Sequence, residues 1–138
     1  MQLYKKILVT IDCSSVDKSI INHVSGLALQ NRAKVYLLHV VHSHTLDQNR
    51  VLREQAEKCL ESYRKILKNK GIETYKVIKE GEPDRQILDE IEGKDYDLVA
   101  MATHGHTLIG DFLFGSVSKS LKHKIKIPLL LLKPDYKP

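Results

Sequence analysis

Nine residues separate Gly105 from Gly115-Ser116, between an apolar run ending at Met101 and a helix-like run starting at Val117. A glycine-bounded loop that feeds a helix N-terminus is suited to anions. The first turn of a helix has N–H groups without intrahelical partners, and its dipole places partial positive charge there. Glycine lets a phosphate approach the backbone where a Cβ would collide. The spacing predicts a loop that holds a phosphorylated ligand, although glycines also serve ordinary turns.

The other reactive side chains point to less. Seven histidines include two close pairs, His42 with His44 and His104 with His106. Neither pair stands beside cysteines or carboxylates at zinc-site spacing, so no metal site is expected. His104 and His106 are suited instead to donate to phosphate, more so when protonated. Two cysteines, Cys13 and Cys59, do not make a disulfide framework. Cys59 falls on an apolar helix stripe and reads as core. Cys13 precedes a helix start, where a thiolate is favoured, so a redox role stands beside simple packing. No nucleophile–base pair has a telling spacing and no Gly-x-x-x-x-Gly-Lys-Ser/Thr loop is present, so no catalytic residue is assigned.

These residues must be positioned by a chain of 138 residues, enough for one domain, 1–138, with a sizeable core. No run approaches the ~20 apolar residues of a membrane span, and the start of the chain lacks a signal-like apolar region. A cytoplasmic protein with no membrane association is expected. The balance of 22 basic and 17 acidic residues leaves a formal charge of +5. The lysines are scattered and not interleaved with aromatics, which describes a solvated surface rather than a nucleic-acid footprint. Lys119, Lys122, Lys124 and Lys126 cluster on and after the helix that follows the glycine loop.

Apolar runs predict strands over Lys6 to Ile11, Val35 to Val41, Tyr75 to Ile78, Leu98 to Ala102 and Ile127 to Leu132. Between them lie helical patterns. Ser14-Ser15-Val16-Asp17 resembles a capping box ahead of Ile20, Ile21, Val24, Leu27 and Ala28. Leu52, Ala56, Cys59, Leu60, Tyr63, Ile66 and Leu67 mark a long helix, with Glu54–Lys58 and Glu61–Lys65 as i,i+4 pairs and Gly71 as its stop. Pro83 opens a third helix with Ile87, Leu88 and Ile91 on its face. A short fourth helix is expected from Ser116 to about His123.

Strands alternating with helices imply parallel βαβ units with right-handed crossovers. Nearly all-apolar strands imply a sheet covered on both faces. The expected fold is α/β, a doubly wound five-stranded parallel sheet with four helices. Taking the strand order as 3-2-1-4-5 puts a crevice between the carboxyl ends of the first and fourth strands. Asp12-Cys13-Ser14 and the Ala102 to Gly105 segment would then face each other across it.

The combined motifs resemble the universal stress protein family, over the whole chain. The family pattern of glycine, two residues, glycine, nine residues and Gly-Ser is matched by Ala102-Thr103-His104-Gly105 and Gly115-Ser116-Val117-Ser118, except that Ala102 replaces the first glycine. Lys6-Ile7-Leu8-Val9-Thr10-Ile11-Asp12, Leu38-His39-Val40, Gly81-Glu82-Pro83 and Pro128-Leu129-Leu130-Leu131 also look typical. The resemblance implies a Rossmann-like, adenine nucleotide alpha hydrolase-like fold and a site for ATP, with Mg2+ bound through the phosphates. The Ala102 methyl adds bulk where the loop needs close approach or positive φ.

Carried over by position, Thr10 and Ile11 would offer backbone groups to adenine, and Val40 an apolar surface. Asp12 would meet the ribose or metal-bound water, although capping the first helix is an alternative role. Ala102, Gly105 and His106 would line the phosphate and ribose side. Gly115, Ser116, Val117 and Ser118 would present N–H groups and hydroxyls to the phosphates. The resemblance also implies a homodimer through the last strand, Ile127 to Leu132. Three functions are compatible with this reading: an ATP-binding stress-response switch, a nucleotide-free dimeric interaction protein, and a slow ATPase.

Overall fold

A computed structural model of the chain describes residues 3–102 and 124–133. In chain order the elements are β1 (Lys6–Thr10), α1 (Asp17–Asn31), β2 (Lys34–Val41), α2 (Leu46–Asn69), β3 (Thr74–Glu80), α3 (Pro83–Gly93), β4 (Leu98–Ala102) and β5 (Leu129–Leu132). The five strands form one sheet in the order β3-β2-β1-β4-β5, and every neighbouring pair is parallel. The expected architecture and strand order are present. Three helices lie among the described residues, where four were expected for the chain. The helix expected from Ser116 to about His123 falls outside those residues.

Strand side chains alternate between two cores. Ile7, Val9, Val35, Leu37, Leu98 and Ala100 face α1 and α2, where Ile20, Val24, Leu60 and Leu67 complete a buried cluster. Leu8, Leu38, Val99 and Met101 face the opposite way and pack with Ile87 and Ile91 of α3. The near-continuous apolar runs of β1 and β4 follow from this arrangement, because a central parallel strand is buried on both faces.

Two helix ends show how local chemistry sets boundaries. α2 begins at Leu46, six residues before the first apolar position that marked it in sequence. Thr45 accepts from the Gln48 N–H at 3.1 Å, and Gln48 returns its side-chain oxygen to the His44 N–H at 2.8 Å. The first turn is thus set by a polar cap, to which apolar periodicity is blind. At the other end Gly71 takes φ +87°. Its N–H reaches the Lys68 carbonyl and the Ile72 N–H reaches that of Leu67, at 2.9 and 3.0 Å. This is a Schellman closure, and its left-handed residue is why glycine stands there. Along α2, Glu61 pairs with Arg64 at 2.6 Å and with Lys76 of β3 at 3.6 Å, a different set from the Lys65 partner expected.

Candidate functional site

The strand order reverses between β1 and β4, so their carboxyl ends open the crevice at which doubly wound folds take ligands. β1 and β4 pair from Ile7↔Leu98 to Val9↔Ala100, which brings Thr10 and Ile11 level with the end of β4. Thr10 is 8% exposed. Its Oγ1 is buried and has no hydrogen-bond partner among the described residues. A buried hydroxyl left unpaired costs about 1–3 kcal/mol, which a polar ligand atom would recover.

Ile11 extends the ladder one step beyond β1. Its N–H donates to the Leu38 carbonyl at 2.7 Å, and its carbonyl accepts from Nδ1 of His39 at 2.7 Å. The amide is therefore spent on the sheet, and the carbonyl keeps one of its two lone pairs. The proton on His39 Nδ1 leaves Nε2 as the acceptor of the neutral ring. Val40 is half-buried against the α3-side core.

Residues 12–14 fold around one carboxylate. Asp17, in the first turn of α1, is 1% exposed. Its Oδ1 accepts the Asp12 N–H at 3.0 Å, and its Oδ2 accepts the Ser14 N–H at 3.1 Å and the Tyr63 hydroxyl at 3.0 Å. Burial pushes the Asp17 carboxyl above the usual carboxylate range. The hydrogen bonds from Asp12, Tyr63 and Ser14 oppose that rise, and the charge of Asp12 adds to it. Burial and the charge of Asp17 in turn raise the Tyr63 phenol, which stays a proton donor.

Half of the expected capping box is present. The acidic residue reaches back to the Ser14 N–H, but the Ser14 hydroxyl donates to Oδ2 of Asp12 at 3.1 Å instead of capping the helix. The residue before α1 is Val16, which offers no side-chain cap. Asp12 therefore does not cap α1; its half-exposed carboxylate stays at the mouth of the crevice.

Cys13, at the tip of this loop, takes φ +61°, a left-handed conformation uncommon for a residue with a Cβ. It is joined by a disulfide to Cys59 of α2, with the Cα atoms 6.0 Å apart. Cys59 still packs against the α1/α2 core, as its stripe position implied. The sequence reading missed the pairing because the partners are 46 residues apart and no local spacing connects them. The one available hint was that Cys59 and Tyr63 stand four apart, which places both on one face of a helix. Cys13, Asp17 and Cys59 are also, among the described residues, the group whose donor atoms gather within 4.8 Å of one another.

On the far side of the crevice Ala102 ends β4 in register with Leu132. It is buried in the α1/α2 core. Its φ is not among the positive values of the described residues, so the backbone there does not require glycine. Gly105, His106, Gly115, Ser116, Val117 and Ser118 lie outside the described residues. At the sheet edge β5 is shorter than expected, Leu129–Leu132, and Leu131 is 45% exposed. No helix among the described residues is long and apolar enough to cross a membrane.

This geometry has close counterparts. Universal stress protein MJ0577 of Methanocaldococcus jannaschii is 25% identical over 155 residues, spanning 95% of this chain and 96% of that protein. Its solved structure matches with a TM-score of 0.81 at 28% identity, covering 98% of this chain and 99% of its own. A universal stress protein in complex with cAMP matches with a TM-score of 0.75 at 17% identity, covering 96% and 99%. The universal stress protein of Archaeoglobus fulgidus in complex with dAMP gives 0.73 at 20% identity, covering 95% and 99%. The model of the universal stress protein family matches residues 3–133, and with its motifs, sheet order and near-complete coverage this chain belongs to that family.

Proposed function

We infer that this protein binds an adenine nucleotide in the crevice between β1 and β4 and acts as a nucleotide-responsive regulatory module. The observation that carries the reading is the unpaired, buried Oγ1 of Thr10, with the Asp12 carboxylate two residues on, at the point where the strand order reverses. Two structural neighbours hold cAMP and dAMP, so adenosine phosphates suit this fold. ATP is the nucleotide we assign, because the glycine spacing at Gly105 and Gly115-Ser116 provides donors for a phosphate tail. Asp12 would face the ribose or the water shell of a phosphate-bound Mg2+, and Mg2+ would neutralise phosphate charge. Thr10, Ile11 and Val40 would form the base side, Ala102, Gly105 and His106 the phosphate and ribose side, and Gly115, Ser116, Val117 and Ser118 would donate to the phosphates.

Binding without efficient turnover is the expected mode, because the sequence pairs no nucleophile with a base at a telling spacing and has no Gly-x-x-x-x-Gly-Lys-Ser/Thr loop, and a grip on ground-state phosphates favours no transition state. Nucleotide occupancy would bias the 102–116 segment and so a partner surface. We place the protein in the cytoplasm as a homodimer through β5. The exposure of Leu131 on that edge strand also supports a second reading, a dimeric interaction protein that needs no nucleotide.

The test is direct. Denature the purified protein and identify any released small molecule by mass spectrometry, then titrate ATP with Mg2+ into the stripped protein by calorimetry. A bound adenine nucleotide, or binding below millimolar ATP, supports the reading. An absence of both heat and thermal shift at millimolar ATP, ADP, AMP and cAMP rejects it in favour of the second.

A further inference from the structure

We propose that Cys13 and Cys59 form a reversible thiol–disulfide clasp that sets the position of residues 12–14 at the mouth of the crevice. The two Cα atoms are 6.0 Å apart, within the range a disulfide spans. Cys13 is exposed and open to small oxidants and reductants, whereas Cys59 is half-buried on α2. The same face of α2 also carries Tyr63, which holds Asp17, and Asp17 holds the N–H groups on either side of Cys13. One face of α2 thus grips the loop twice, by a covalent bond at its tip and a hydrogen-bonded carboxylate at its base.

The bond is not needed to build the fold. Two apolar clusters fill both faces of the sheet, so opening it removes a restraint without removing a core. The Asp17 contacts keep the loop folded when the thiols are free, while the left-handed backbone at Cys13 loses its covalent anchor. A metal is the competing use of these donors. Two sulfurs fall short of a four-ligand site, and the carboxylate beside them already accepts three hydrogen bonds.

The chemistry balances with a low-molecular-weight disulfide as oxidant. The Cys13 thiolate attacks one sulfur of that disulfide, forming a mixed disulfide and releasing the first small thiolate, which takes up the proton Cys13 lost. The Cys59 thiolate then attacks Sγ of Cys13, closing the intramolecular bond and releasing the second small thiol with the proton of Cys59. The protein pair loses two electrons and the oxidant becomes two thiols. A reducing dithiol or thiol pool reverses the exchange.

The test uses nucleotide-free protein equilibrated in glutathione and glutathione disulfide at graded ratios. Free thiols are counted by alkylation and intact mass, and loop motion is read by amide hydrogen exchange of the peptide covering residues 11–16. The expected result is the joint, reversible loss of both thiols within one monomer. It should come with about tenfold slower exchange in that peptide and a rise in Tm of about 10 °C. Cys13→Ser, at an exposed position, should abolish all three changes while the protein keeps a cooperative melt; Cys59→Ser should do the same. Thiols that stay alkylatable at every ratio, a bond that glutathione cannot open in the native protein, or equal exchange in both states would overturn the proposal. So would stoichiometric zinc on the reduced protein that blocks alkylation of both cysteines. None of these readouts depends on nucleotide, so failure of the binding reading leaves them intact.

Discussion

Tyr63 reaches from the middle of α2 to donate its hydroxyl to Oδ2 of Asp17 at 3.0 Å, across 46 residues of sequence. The contact ties the longest helix to the loop after β1, and it is made by a residue whose sequence position suggested only an apolar face. Removing the hydroxyl by Tyr63→Phe leaves the Asp17 carboxylate with two donors instead of three. Stability should fall by about 1–2 kcal/mol, read as a lower midpoint in urea with an unchanged m-value. A midpoint identical to the parent would mean that the hydrogen bond adds nothing to the fold.

Asp17 and Glu90 should shape the pH profile in opposite directions. The Asp17 carboxyl is raised in the folded state, chiefly by burial. The native protein then holds this proton more tightly than the unfolded chain, so stability declines as pH rises from about 4 through the folded value. Asp17→Asn should flatten this decline above about pH 4, as chemical denaturation at a series of pH values would reveal.

Glu90 is buried but ionised. Burial works against its charge, yet hydrogen bonds from Tyr96 and Lys94, with the charges of Lys94 and Lys79, outweigh it and hold the carboxyl below the usual range. Its contribution is present above about pH 4.5 and disappears as the pH falls through the lower folded value. Glu90→Gln should cost about 2 kcal/mol at pH 7 and reduce the sensitivity to acid. An unchanged acid midpoint in this variant would contradict the assignment.

Thr10 separates ligand binding from stability. Thr10→Val keeps the shape and deletes a buried hydroxyl that has no partner among the described residues. The nucleotide-free variant should gain about 1 kcal/mol, while its affinity for ATP should fall about tenfold. Asp12→Ala should also weaken ATP with Mg2+ about tenfold with little change in Tm. Calorimetry and thermal melts on the same preparations check both. Equal affinities in both variants and the parent would remove the crevice from the binding site.

Leu131 is the residue to change at the sheet edge. Placing a lysine on an exposed edge strand opposes strand pairing between chains. If β5 carries the dimer, Leu131→Lys should turn a dimer into a monomer at micromolar concentration in light scattering. A parent that is already monomeric would reject the dimer itself.

What the sequence determined by itself was the alternation of strands and helices, the parallel sheet and the two-sided burial. Each depends on side-chain periodicity over neighbouring residues, as in Ile7, Leu8 and Val9 or Ile20, Ile21 and Val24. The strand order 3-2-1-4-5, and with it the crevice, had to be assumed, and the family pattern added the roles of Thr10 and Asp12 there. Only the tertiary structure decided the contacts between residues of different elements: the Cys13–Cys59 bond, the Tyr63 hydroxyl on Asp17, the commitment of the Ile11 amide to Leu38 and the Lys79–Glu90 ion pair. Polar groups and sulfur carry no periodicity, and their partners are selected by packing that exists only once the sheet and helices have assembled.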